Sequence, residues 1–232
     1  MHSGSLNVSA SVCVIFRRMT STTSMRTQIK ICGFTRAADA VQAVALGADA
    51  LGLVFYPPSS RNISIERAID IAREVAPFTS LTALFLNAER AQIESVLAKV
   101  PISLLQFHGT EEAEFCRSFN RPYIKAVPMK SVDSVEAYCD SYHDARGFLL
   151  DSNAAGAAGG SGKAFDWSRI PQTLPAGVIL AGGLTVDNVH EAVSRVRPSA
   201  VDTSSGVESA KGIKDAALMR DFIQQVKAAD VE

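Results

Sequence analysis

Two residues combine a reactive side chain with a strand-end position. Cys32 closes the run Gln28-Ile29-Lys30-Ile31-Cys32 and is followed by Gly33-Phe34-Thr35. Asp151 closes Gly147-Phe148-Leu149-Leu150-Asp151. The carboxyl ends of parallel strands are where α/β barrels gather catalytic groups. A thiol and a carboxyl facing one substrate can take a proton from one atom and deliver one to another, which is general acid–base chemistry. Cysteine often serves only as a small buried hydrophobe. Cys116 and Cys139, within helix-like stretches, read that way, and the strand-end position sets Cys32 apart.

Three later segments suit an anion. Gly159-Gly160-Ser161-Gly162-Lys163 follows the sixth apolar run, Ala181-Gly182-Gly183-Leu184-Thr185 the seventh, and Asp202-Thr203-Ser204-Ser205-Gly206-Val207-Glu208 the eighth. Glycine lets backbone N–H groups approach a phosphate closely, and barrels often bind phosphate in the loops after strands seven and eight. Gly160, Gly182, Gly183, Ser205 and Gly206 are therefore the candidate phosphate ligands. The first segment lacks a Ser or Thr after Lys163, so a nucleotide-binding P-loop is not expected. Gln106 and His108 at the end of the fourth run, and Asp202 at the end of the eighth, are candidate substrate contacts or polar groups that orient their neighbours.

Positioning these residues requires a parallel sheet. Apolar runs at 28–32, 50–55, 81–86, 103–108, 123–127, 147–151, 178–181 and 200–203 are nearly continuous in Val, Ile, Leu and Phe, as strands buried on both faces are. Cap residues are expected at Thr35, Ser64, Asn87, Thr110, Ser131 and Thr185, with Glu66, Glu89, Glu111, Glu112 and Asp187 in first turns. A closing helix is expected over 215–229. Eight strand–helix units predict one α/β domain, a (β/α)8 TIM barrel over 28–232. A doubly wound sheet would carry Gly-x-Gly-x-x-Gly after its first strand, where this chain has Cys-Gly-Phe-Thr. Residues 1–27 read as a disordered extension, rich in Ser and Thr. Arg17 and Arg18 follow the apolar patch at 12–16 instead of preceding it, unlike a secretory signal.

The 232 residues are 47% hydrophobic and 20% charged, with a net charge of −1. No global field draws nucleic acid or a membrane surface, so neither partner is expected, and an anionic ligand needs a local site. The four cysteines form no Cys-x-x-Cys pair and have no histidine cluster beside them. That argues against structural zinc and a disulfide framework, and for a cytoplasmic location.

From about Ile29 onward the chain resembles the phosphoribosylanthranilate isomerases of tryptophan biosynthesis. The resemblance is carried by Lys30-Ile31-Cys32-Gly33-Phe34-Thr35, by Gly52-Leu53-Val54-Phe55-Tyr56 with Ser60-Arg61-Asn62-Ile63-Ser64, and by Leu105-Gln106-Phe107-His108-Gly109. Leu150-Asp151-Ser152, the three glycine segments and Phe165-Asp166-Trp167 complete it, in order. It implies a cofactor-free Amadori rearrangement of N-(5-phosphoribosyl)anthranilate, with Asp151 as general acid, Cys32 as general base and Arg61 on the anthranilate carboxylate. The partner implied is a small phosphosugar, and the assembly a monomer or homodimer. A related isomerase of the histidine pathway would carry Asp where Cys32 stands.

Overall fold

The computed structural model describes residues 26–152 and 165–231. Eight parallel strands close on themselves in sequence order: β1 (Gln28–Cys32), β2 (Ala50–Val54), β3 (Ser80–Phe85), β4 (Leu104–Phe107), β5 (Tyr123–Pro128), β6 (Gly147–Asp151), β7 (Gly177–Leu180) and β8 (Ala200–Thr203). They follow the apolar runs of the sequence to within a residue. The seam pairs Lys30 with Asp202 between β1 and β8, and on the other side of β1 Cys32 pairs with Gly52 of β2.

Successive strand residues face opposite sides of a sheet. Outward-facing Ile29, Ile31, Leu51, Leu53, Phe85, Phe107, Phe148 and Leu150 form the main core with the surrounding helices. These helices are α1 (Ala37–Leu46), α2 (Ile65–Glu74), α3 (Arg90–Lys99), α4 (Ala113–Arg117), α5 (Val135–Ser141), α6 (Val189–Val196) and α7 (Ala216–Ala229). A smaller cluster inside the barrel joins Ile124, Ala126, Leu149 and Ala181, with Leu104 and Ile179 against it. The inward positions of β1 and β8 instead carry buried Lys30, Cys32 and Asp202, and those of β4 and β6 carry Gln106 and Asp151. The barrel interior thus combines an apolar cluster with buried polar and charged side chains.

Several local expectations change. Of the expected caps Ser64 closes its helix by side chain, accepting from Arg67 N at 3.2 Å, and Thr185 accepts from Asp187 N at 3.3 Å in the turn that leads into α6. Ser134 takes the role given to Ser131, accepting from Ala137 N at 3.2 Å. Thr35 donates to the Gly212 carbonyl, and Asn87, at φ 50°, accepts from Thr110 N and so ties the loops after β3 and β4. Glu111 lies outside the helix, paired with fully buried Lys125 at 3.0 Å. Between β6 and β7 the described residues hold only a 3-10 turn, Trp167–Arg169, where a helix was expected. A hairpin absent from the sequence reading, β9 (Glu208–Ala210) with β10 (Ile213–Lys214), precedes α7. Arg26 and Thr27, read as the end of the extension, lie against the barrel: Arg26 pairs with Asp49 and Thr27 bonds to Asp230.

Candidate active site

Cys32, Arg61, Gln106, His108, Asp151, Gly182, Gly183, Asp202 and Ser205 all line one cleft at the carboxyl end of the barrel, with about 730 Å³ of empty space open to solvent. Residues sequence-distant by more than 170 positions meet there because strands β1 and β8 are neighbours in the closed sheet. Gly206 follows in the 3-10 turn Ser205–Val207. Gly160 lies outside the described residues.

On the thiol side, Lys30 extends its ammonium to Asp202 Oδ1 at 2.8 Å, in a pair almost sealed from water. Burial pushes the Cys32 thiol above its ordinary value; Lys30 and Lys214 pull it back, while Asp202 adds to the rise. Burial likewise pushes the Asp202 carboxyl up, against the pull of Lys30. Burial alone would lower Lys30, but Asp202 and Cys32 hold its charge. One interior cation therefore faces two acids, and full ionisation of both is costly in that setting.

On the carboxyl side, His108 Nε2 lies 3.2 Å from Asp151 Oδ2, and Gln106 Nε2 lies 3.1 Å from His108 Nδ1. With the amide as donor, Nδ1 accepts and the ring proton sits on Nε2, facing Asp151. Gln106 and His108 thus form a bonded file behind the carboxyl, in addition to lining the cleft.

Arg61 lies over Gly33, next to the thiol, and Glu208 grips its Nε and Nη2 at 2.8 Å each. Half of the fork expected for substrate is thereby engaged, leaving the end-on edge with Nη1 for a carboxylate. Glu208 also accepts from Lys214 at 2.8 Å, and Lys214 donates to the carbonyls of Cys32 and Ser204 at 2.6 and 3.0 Å. Burial works against the Glu208 charge, but Arg61 and Lys214 hold its carboxyl below the ordinary range. Burial lowers Lys214 despite Glu208.

The loop after β7 turns on two glycines. Gly182 and Gly183 both take positive φ, 76° and 78°, which glycine adopts without strain. Asn188 fixes this turn, donating to the Gly183 carbonyl at 2.9 Å and accepting from Thr185 N at 2.9 Å. Among the described residues the N–H groups of Gly183 and Ser205 find no intramolecular acceptor. Unpaired backbone amides beside a cleft are groups that can accept an anion.

Sequence reading missed Lys30, Asn188, Glu208 and Lys214 as site residues. Lys30 carried a signal, a lysine inside an apolar strand two residues before the thiol. Lys214 and Glu208 carried none, because their roles arise from the hairpin.

The sequence profile of the family described as N-(5'-phosphoribosyl)anthranilate (PRA) isomerase matches residues 29–225. A protein of Nitrosococcus oceani named N-(5'-phosphoribosyl)anthranilate isomerase is 50% identical over 206 residues, covering 89% of this chain and all of that protein. A crystal structure of phosphoribosyl anthranilate isomerase with reduced 1-(o-carboxyphenylamino)-1-deoxyribulose 5-phosphate superposes with a TM-score of 0.73 at 36% identity, covering 87% of this chain and 99% of that one. Monomers generated from the dimeric enzyme of Thermotoga maritima superpose with a TM-score of 0.70 at 36% identity, covering 87% and 99% of the two chains.

Proposed function

The chain belongs to the phosphoribosylanthranilate isomerase family, an isomerase family of tryptophan biosynthesis, and on that premise we propose that Cys32 and Asp151 divide the proton transfers of the reaction between them. The substrate is N-(5'-phosphoribosyl)anthranilate. Asp151 enters protonated and gives its proton to the furanose ring oxygen as the bond from that oxygen to C1 breaks, leaving an iminium between C1 and the anthranilate nitrogen. The Cys32 thiolate then takes the C2 proton, and the electron pair of that bond closes onto the iminium as an enolamine. Tautomerisation moves the hydroxyl proton from O2 and places one on C1, giving the ketone. No atom is gained or lost.

Both groups need their environment. An isolated aspartic acid is almost wholly ionised near neutral pH. The acid role therefore requires that the occupied cleft, with the substrate's own phosphate and carboxylate, keep Asp151 protonated. Arg61 takes the anthranilate carboxylate on its free edge, while Gly182, Gly183, Ser205 and Gly206 take the phosphate at the other end of the cleft. Gln106, His108 and Asp202 line the space between. The observation that carries this reading is that a thiol and a carboxyl from separate strands face one cleft with an arginine at its rim.

Among the described residues Cys32, Cys116 and Cys139 are free thiols, which supports a reducing cytoplasm as the setting. Among the described residues no helix is long and apolar enough to cross a membrane. A dimeric relative supports a homodimer for this chain, which sedimentation of the purified protein tests. The function is tested by adding phosphoribosylanthranilate to purified protein and measuring product. Turnover by the parent with none by Cys32→Ala is expected; equal turnover by both removes Cys32 as base.

A further inference from the structure

Lys30 is buried, ionic, two residues from the proposed base, and has no part in the steps above. Its Nζ lies 2.8 Å from Asp202 Oδ1, and Asp202 lines the same cleft as Cys32, which stands two residues on along β1. Lys30 and Cys32 point into the barrel from the same face of β1, and Asp202 faces Lys30 in register across the β1–β8 seam. Gly52 stands beside Cys32 on β2, where a Cβ would collide with the sulfur, so the wall is cut back to let the thiol lie inward. A pair serving only to close the seam would be replaceable by apolar residues of similar volume at little cost.

We propose that Lys30 is a positioning residue whose ammonium, anchored on Asp202 beside the cleft, favours the Cys32 thiolate, while the Asp202 charge opposes it. The proposal rests on the reading of Cys32 as the base. The other charged groups around the sulfur come from separate elements. Lys214 approaches from β10, Arg61 from the loop after β2, and His108 and Asp151 lie across the cleft on β4 and β6. The inward faces of β3, β5 and β7 add Thr82, Ala126 and Ala181, which do not titrate. Lys30 is the cation that shares the inward face of β1 with the thiol, so its loss falls on the thiolate through space.

The test is the pH dependence of Cys32 alkylation without substrate, read by mass spectrometry of the peptide that contains it. Cys116 and Cys139 interfere little, since burial pushes both to about 12. Lys30→Met should move the titration midpoint up by about one pH unit or more, and Asp202→Asn should move it down, because an opposite charge favours the ionised form and a like charge opposes it. The acid limb of kcat/KM should move with the midpoint in each variant. Shifts of opposite sign distinguish an effect of charge from general loosening, which would move both variants the same way. The double variant Lys30→Met with Asp202→Asn removes the uncompensated carboxylate and keeps the fold testable by circular dichroism. It should titrate below Lys30→Met and above Asp202→Asn, because the opposing and the favouring charge are both gone. Midpoints unchanged or moving together, with Cys32→Ala inactive, overturn the role of Lys30 and leave the base assignment standing. Turnover by Cys32→Ala overturns the base assignment instead.

Discussion

At the scale of single residues the proposed acid and base differ in what they demand of pH. The Asp151→Asn variant keeps size and hydrogen bonding but cannot give up a proton as an acid does. General acid–base groups contribute ~10²–10⁴-fold, so kcat should fall within or beyond that range while substrate still binds. Turnover within tenfold of the parent would move the acid elsewhere. For the base the sign follows from burial. A thiol whose value is raised stays protonated to higher pH, and the thiolate appears only as pH climbs. Thus kcat/KM should rise through neutrality, by roughly tenfold per unit while the thiol remains mostly protonated, until the acid loses its proton. A profile flat across neutral pH would mean that the base already carries its charge there. The strand-end places of both residues were legible in the sequence because a reactive side chain ending an apolar run is a local pattern. Lys30 was visible in the same pattern, but its partner Asp202 lies 172 residues away, and only barrel closure joins them.

At the scale of elements the strands were readable and their junctions were not. A strand buried on both faces announces itself by continuous apolar residues. A helix cap is decided by competition among neighbouring hydroxyls and carboxylates for a few N–H groups, so Ser134 displaces Ser131 with no compositional change. The β9–β10 hairpin is the largest missed element, and it carries Glu208 and Lys214. Removing one partner of a buried ionic network leaves its neighbours uncompensated. Glu208→Gln should free the Arg61 guanidinium from its two-point grip and raise KM by about tenfold, with a smaller change in kcat, since uniform binding is what it supports. An equal fall in kcat with KM unchanged would show that the hairpin serves the chemistry instead. The phosphate loops give a separate prediction. Inorganic phosphate should compete with substrate, and Gly183→Val should weaken it, because a branched side chain resists positive φ. Unchanged phosphate inhibition in that variant would take the anion away from the turn after β7.

At the scale of the whole molecule the question is how the chain's two ends close the barrel. The fold class was legible because eight apolar runs recur with helical stretches between most of them, but the point where the barrel begins was not. Composition changes near residue 25, whereas the first structural ties are made by Arg26 and Thr27, polar residues typical of a tail. Thr27 donates from both its N–H and its hydroxyl to the Asp230 carboxylate, at 2.9 and 2.7 Å. Asp230 caps α7, so these bonds join the entry to β1 with the exit from the last helix, 203 residues on. Hydrogen bonds to a charged group contribute ~1.5–3 kcal/mol each, and partial exposure places this clamp toward the lower end. Asp230→Ala should therefore lower Tm by a few degrees, taking ~2–4 °C per kcal/mol for a chain of this size. Asp221→Ala, which removes an exposed pair with Arg220, should leave Tm unchanged. A chain starting at Arg26 keeps both ties and should melt with the full-length protein, while one starting at Gln28 should melt with Asp230→Ala. If all four variants melt together with the parent, barrel closure depends on the β1–β8 ladder alone, and the domain begins at Gln28 after all.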